Sequence, residues 1–289
     1  MAVDSETIVD AQTVQKSAFG ERRFGHVNWL GLWTLYKKEV HRFIKVAFQT
    51  VFAPIISTLL FLLVFMGAWG ARGNGIEMEG VTLAVTQFLP PGLIMMAILS
   101  NAFQNSSSSL IIAKVQGSLV DVLMPPLSAA ELTVAFVAGA ATRGLLVGFV
   151  TALTVFGFSL LGEPMQVVNI WPILYFSVQA AIFLGALGAI GGMWAEKFDQ
   201  LALIQNFVIT PLTFLSGTFY SMRSPWLPDW LLAFSHVNPV FYLIDGFRYG
   251  FIGVSDASPV TGAIVVMVLN VATCVLTYLL FKSGYKLKS

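Results

Sequence analysis

Residues 47–69 read AFQTVFAPIISTLLFLLVFMGAW, an apolar run without one charged side chain. A bilayer crossing needs about 20 such residues. Backbone amides in hydrocarbon must be satisfied inside the segment, which an α-helix does along its own length. The run therefore predicts a membrane-spanning helix, kinked at Pro54. The same criterion, applied outward, finds further spans at 88–112, 144–161, 171–194, about 201–219 and 259–281. Trp69, Trp171 and Trp194 stand at span ends, where indole rings favour the headgroup region. The composition agrees: 56% of the 289 residues are hydrophobic and 11% charged, against roughly a quarter charged in soluble domains.

Before the first span the chain has two parts. Residues 1–27 are polar and aperiodic and read as a flexible cytoplasmic tail; the expected transmembrane domain is 28–289. From Asn28, the side chains of Trp29, Trp33, Tyr36, Val40, Phe43, Ile44 and Ala47 recur at helical spacing. Lys38, Arg42 and Lys45 fall opposite, with Lys37 and Glu39 at the flanks. This pattern suits an amphipathic helix lying in the membrane interface or one packed on a partner.

Basic residues set the orientation. An amino terminus in the cytoplasm puts Lys16, Arg22, Arg23, Lys37, Lys38, Arg42, Lys45, Lys114, Lys197, Lys282, Lys286 and Lys288 inside. Only Arg72, Arg223 and Arg248 then fall outside, and Arg143 marks the inner end of the third span. The positive-inside rule favours this arrangement, with both termini cytoplasmic. Segment 221–253 is rich in aromatic residues and broken by Pro225, Pro228 and Pro239. It reads as two short helices that dip into the outer leaflet or lie on its surface. The expected fold is all-α and integral to the membrane: six transmembrane helices, an N-terminal interfacial helix, and an outer re-entrant hairpin before the last span.

Several chemistries are excluded. No lysine follows a glycine, so the phosphate-cradling GxxxxGK[ST] loop is absent. His26, His41 and His236 are isolated, no GxSxG occurs, and the lone Cys274 supports neither a disulfide framework nor a zinc site. With no acidic residue in the middle of the spans as read, an ion-coupled carrier loses support. The net charge of +1 implies no nucleic-acid partner.

Three stretches carry a resemblance. Gly117-Ser118-Leu119-Val120-Asp121-Val122-Leu123-Met124-Pro125-Pro126-Leu127-Ser128 lies between spans two and three. Phe214-Leu215-Ser216-Gly217-Thr218-Phe219-Tyr220 ends span five. Asn238-Pro239-Val240-Phe241-Tyr242-Leu243-Ile244-Asp245-Gly246-Phe247-Arg248 precedes span six. In this order and placement they resemble the ABC-2 family of transporter permeases, in its drug, lipid and polysaccharide export branch. The departure is Asp121-Val122-Leu123, where an acidic-Leu-Leu run is common.

The resemblance implies a non-catalytic permease subunit in a bacterial cytoplasmic (inner) membrane. It would pair with a second copy of itself and with two ABC ATPase subunits that bind ATP and Mg. No cofactor is expected in this chain, and membrane lipid surrounds it. A hydrophobic or amphiphilic substrate would be exported by alternating access. An ATPase-independent channel or secondary carrier is the alternative; an intramembrane enzyme would need a catalytic constellation that is missing.

By this resemblance Gly117, Ser118, Leu119, Asp121 and Leu123 form the helix that couples to the ATPase, with Leu119 and Leu123 as an apolar ridge. Glu196 and Lys197, beside Asp199, form a second contact or a solvated turn. Asn101, Gln104, Asn105 and Ser108 lie in the polar inner half of span two. Lipid cannot satisfy them, so they line a path or bond other helices. Asp245 and Arg248, at i and i+3, are expected to pair and lock the hairpin, with Tyr242 extending the network. The pairs Gly144/Gly148 and Gly188/Gly192 permit close helix packing.

Overall fold

The computed structural model describes residues 27–70, 76–78, 81–160, 165–224 and 227–286. The tail, the Arg72 loop and Lys288 lie outside the described residues.

Helix α1 (Trp29–Ile44) precedes α2 (Ala47–Gly70), and two three-residue strands, β1 (Ile76–Met78) and β2 (Val81–Leu83), follow. Helices α3 (Val85–Val115), α4 (Leu119–Leu123), α5 (Ala129–Ser159) and α6 (Ile170–Trp194) come next. Helix α7 (Phe198–Thr218) contains two π-helical stretches, Gln205–Ile209 and Phe214–Thr218. Helices α8 (Asp229–Val237), α9 (Pro239–Ile252) and α10 (Pro259–Ser283) complete the fold.

Among the described residues six helices are long and apolar enough to cross a membrane: α2, α3, α5, α6, α7 and α10. The fold is nearly all helical. The exception is an antiparallel β1–β2 hairpin in which Ile76 faces Leu83 and Met78 faces Val81.

Five spans fall where the apolar runs place them. The third does not: α5 begins at Ala129, well before Gly144. Its first turn is fixed by a capping box, with the Ser128 side chain accepting from the Glu131 N–H and the Glu131 carboxylate accepting from the Ser128 N–H. At 31 residues, α5 is about 46 Å long, against a hydrocarbon core of about 30 Å. Arg143 therefore stands near mid-helix, about 21 Å from the start of α5.

The bundle is built around α3, enclosed by α5 and α6, with α2 and α9 beyond. Both glycine pairs serve this packing within the chain. A Cβ at Gly188 would strike the Phe103 carbonyl, and one at Gly192 would meet Ser107 and Leu110. Gly144 and Gly148 seat α5 on Ile98 and Ala102 of α3 in the same way. Small residues let backbones approach closely where lipid offers no hydrophobic drive between helices. Apolar side chains of α2 and α10, among them Phe52, Leu63, Ile264 and Val271, remain exposed on the outside.

Both described ends of the chain meet at one end of the bundle. The Asn28 N–H donates to Glu131 at the start of α5. Lys286, after α10, pairs with Glu196, after α6, at 2.7 Å. Phe136 of α5 stacks on Phe281 of α10, with centroids 5.7 Å apart.

Candidate functional site

A cavity of about 640 Å³ opens between α2, α3 and α7, with Arg143 of α5 in its wall. On α3 it is lined by Leu93, Met96, Ala97, Ser100, Asn101, Gln104, Ser107 and Ser108, with Phe103 beside them. These recur at three- and four-residue steps and so form one helical stripe. The stripe grades from apolar to polar toward the α4 end of the bundle. Phe61, Pro54 and Gln49 of α2 and Leu201 and Gln205 of α7 face it.

Of the four path residues expected from sequence, Asn101, Gln104 and Ser108 line this cavity. Asn105 does not. It is fully buried toward α1, where Arg42 donates from Nη2 to its carbonyl oxygen at 2.6 Å and to its Oδ1 at 3.1 Å. The polar half of α3 thus serves two faces. One looks into the cavity. The other binds α1, through Ser109 donating to Glu39 at 2.7 Å, and Ser108, at the edge between the two, accepts from Arg42 at 3.0 Å.

Helix α1 packs on the bundle by a face that the sequence pattern did not single out. Leu35, Glu39 and Phe43 are buried, Arg42 turns inward and pairs with Glu39 at 3.2 Å, and Trp29 and Trp33 face outward. The polar groups of α3 hold the one acidic residue on α1 and its arginine, and Trp29 and Trp33 of the aromatic stripe are left exposed.

Arg143 was absent from the expected site and is its main charged group. Its Nε and Nη2 donate to Asn101 Oδ1 at 3.3 and 3.2 Å. It has no carboxylate partner among the described residues.

The segment between α3 and α5 is a left-handed glycine, Gly117 (φ +69°), followed by Ser118 and the five-residue α4. The expected ridge is corrected here. Leu119 is 8% exposed and packs with Leu35, Leu110 and Leu132 in the chain's own core, as does Val122. The outward apolar face is Val120 (61% exposed), Leu123 (36%) and Met124 (78%). The segment is stapled from below, since the Asn28 side chain donates to the Pro126 carbonyl at 3.2 Å.

On the neighbouring loop, Lys286 binds the Glu196 carboxylate and holds its pKa below the usual range, while Glu196 raises that of Lys286. Lys114 donates to the Met193 and Ala195 carbonyls, joining the ends of α3 and α6. Lys197 precedes α7 without a side-chain cap.

At the opposite end, Asp245 and Arg248 do not pair. The Asp245 carboxylate accepts from the N–H groups of Asp256 and Ala257, both at 2.9 Å. Arg248 Nη2 donates to the carbonyls of Gly217 and Thr218, and its guanidinium lies 3.8 Å over the Phe88 ring. Tyr242 joins neither, donating instead to the His236 carbonyl. Asn238 caps α9 and donates to Leu212 O and Ser216 Oγ of α7. Two of the sequence stretches singled out above, 214–220 and 238–248, are therefore one interlocked unit.

A bundle of six helices long and apolar enough to cross a membrane, around a cavity graded in polarity, suits a membrane transport protein. Residues 31–252 match the model of the ABC-2 type transporter family, and the chain belongs to that family. It is 36% identical over 266 residues to the inner membrane transport permease YadH of Escherichia coli strain K12, covering 91% of this chain and 99% of that protein. It is also 22% identical over 235 residues to Nodulation protein J of Neorhizobium galegae, covering 79% of this chain and 83% of that one. These matches support a multi-pass inner-membrane protein.

Proposed function

We propose that this permease is the membrane subunit of an ATP-driven exporter, acting as two copies joined to two separate ATPase subunits. The observation that carries the reading is α4. Leu119 and Val122 anchor it to the bundle, leaving Val120, Leu123 and Met124 exposed beyond the spans. An apolar knob outside the hydrocarbon suits a groove in a soluble partner. Gly117, Ser118 and Asp121 shape that segment, and Glu196 and Lys197 flank it at the same end of the bundle.

By the positive-inside rule that end is cytoplasmic, together with both termini. Helix α1, with Trp29 and Trp33 outward, lies in the interface, and α8–α9 form the hairpin of the outer leaflet. The cavity is one copy's share of the translocation path, and its gradient of polarity suits a hydrophobic or amphiphilic substrate. ATP and Mg are bound in the partner, and this chain carries out no covalent step.

The test is to purify the tagged chain from its native membranes in mild detergent, photolabel with azido-ATP and measure ATP hydrolysis. Label should fall on a co-eluting subunit and not on this chain. Val120→Asp with Met124→Asp should strip that subunit while the permease keeps its yield and melting temperature. Label on the permease itself, or undiminished co-elution from the double variant, would overturn the proposal.

A further inference from the structure

We infer that the cavity takes an amphiphile with an anionic head, recognised by the Arg143 guanidinium. The inference rests on reading the cavity as the translocation path and names the class of substrate that path selects.

Arg143 lies one residue from the midpoint of α5, which runs from 129 to 159, about 21 Å from the helix start. A guanidinium in the wall of an otherwise uncharged cavity calls for a partner. Yet its protein partner is the neutral Asn101 Oδ1, reached by two of the five guanidinium N–H donors. The nearby acid, Glu39, is committed to Arg42 and Ser109. Arg42 itself carries the same sign as Arg143. The charges of this region, two arginines against one carboxylate, thus leave one positive charge at the cavity wall.

A planar fork with free donors fits a phosphate, sulfate or carboxylate. Ser100 and Gln104, on the same stripe of α3, add neutral polar groups beside it. Further from the α4 end, Phe61, Leu93 and Met96 supply an apolar wall for a hydrocarbon chain. The volume of about 640 Å³ falls within the ordinary range of ligand sites, about 300–1,000 Å³.

The experiment uses the full-length protein in phosphatidylcholine nanodiscs, photo-crosslinked with a diazirine-bearing alkyl phosphate. Competitors are dodecyl phosphate, uncharged dodecyl maltoside and inorganic phosphate. Label should appear in peptides of α2 and α3, and dodecyl phosphate should compete about tenfold better than the maltoside, as expected for a hydrogen-bonded charge. Inorganic phosphate should compete poorly. Arg143→Gln should abolish the tenfold preference, and Arg143→Lys should retain part of it.

Equal competition by the two alkyl compounds in the unmutated protein would overturn the anionic head while leaving an amphiphile path. Competition by inorganic phosphate as strong as by dodecyl phosphate would overturn the amphiphile. Absence of label from α2 and α3 would overturn both this inference and the path on which it rests.

Discussion

Arg248, buried in α9, donates from Nη2 to the carbonyl oxygen of Gly217 at 2.8 Å, across the kink that ends α7. Gly217 has φ +70° and ψ 22°, and Ser216 beside it is also non-helical. The kink releases carbonyls from the helical ladder, and the guanidinium collects two of them while resting on Phe88. A left-handed conformation costs a residue with a Cβ about 1–2 kcal/mol. Gly217→Ala should therefore lower stability by about that amount in detergent melts. Arg248→Gln should cost about 1.5–3 kcal/mol, the range for hydrogen bonds made by a charged group. A Gly217→Ala protein melting like the parent would contradict the lock.

Asp245 and Arg248 act on different segments. Asp245 holds the N–H groups of Asp256 and Ala257, and Asp256 in turn accepts from Ser221 Oγ at 2.7 Å and from the Met222 N–H. Hydrogen exchange should separate the two. Asp245→Asn should speed exchange chiefly at 254–258, and Arg248→Gln chiefly at 217–222. Identical exchange maps for the two variants would restore a direct ion pair.

Leu119 and its neighbours on α4 should also part company. Leu119→Ala removes a core side chain and should destabilise the permease by about 2–5 kcal/mol. Val120→Ala and Met124→Ala remove exposed groups and should change stability by less than about 0.5 kcal/mol. Thermal melts of the isolated permease distinguish these outcomes, and equal losses at Leu119 and Met124 would place α4 differently.

Glu131 accepts from the N–H groups of Ser128 and Asn28 and thereby seats both α5 and α1. Glu131→Ala should cost about 1–3 kcal/mol, the range for a lost charged acceptor. Its exchange signature should appear at residues 28–32 as well as at the start of α5. A change confined to α5 would remove the link to α1.

The spans were legible because bilayer thickness imposes a length that apolar runs report directly. The third helix begins well before its apolar run, and Arg143, which stands at the start of that run, faces a cavity made by residues far away in sequence. The Ser128-x-x-Glu131 spacing ahead of an apolar stretch was the local signal for the true start. The packed face of α1 was not readable, since Glu39 meets Ser109 and Arg42 meets Asn105 only after folding. The spacing of Asp245 and Arg248 suggested a pair, but each found backbone groups freed by a loop and a kink that carry no charge in the sequence. The motif order placed α4 correctly; helical spacing alone could not say which of its leucines faced inward.

The central claim, that the cavity is a path gated by ATP in a partner, is tested most directly by cysteine accessibility. In a Cys274→Ser background, Gln104→Cys in the intact permease–ATPase complex would be probed with a membrane-impermeant thiol reagent in inside-out and right-side-out vesicles, with and without vanadate trapping. The account predicts labelling from the cytoplasmic face in the nucleotide-free state and its loss on trapping. Labelling that ignores the nucleotide state, or that occurs only from the outer face, would contradict it.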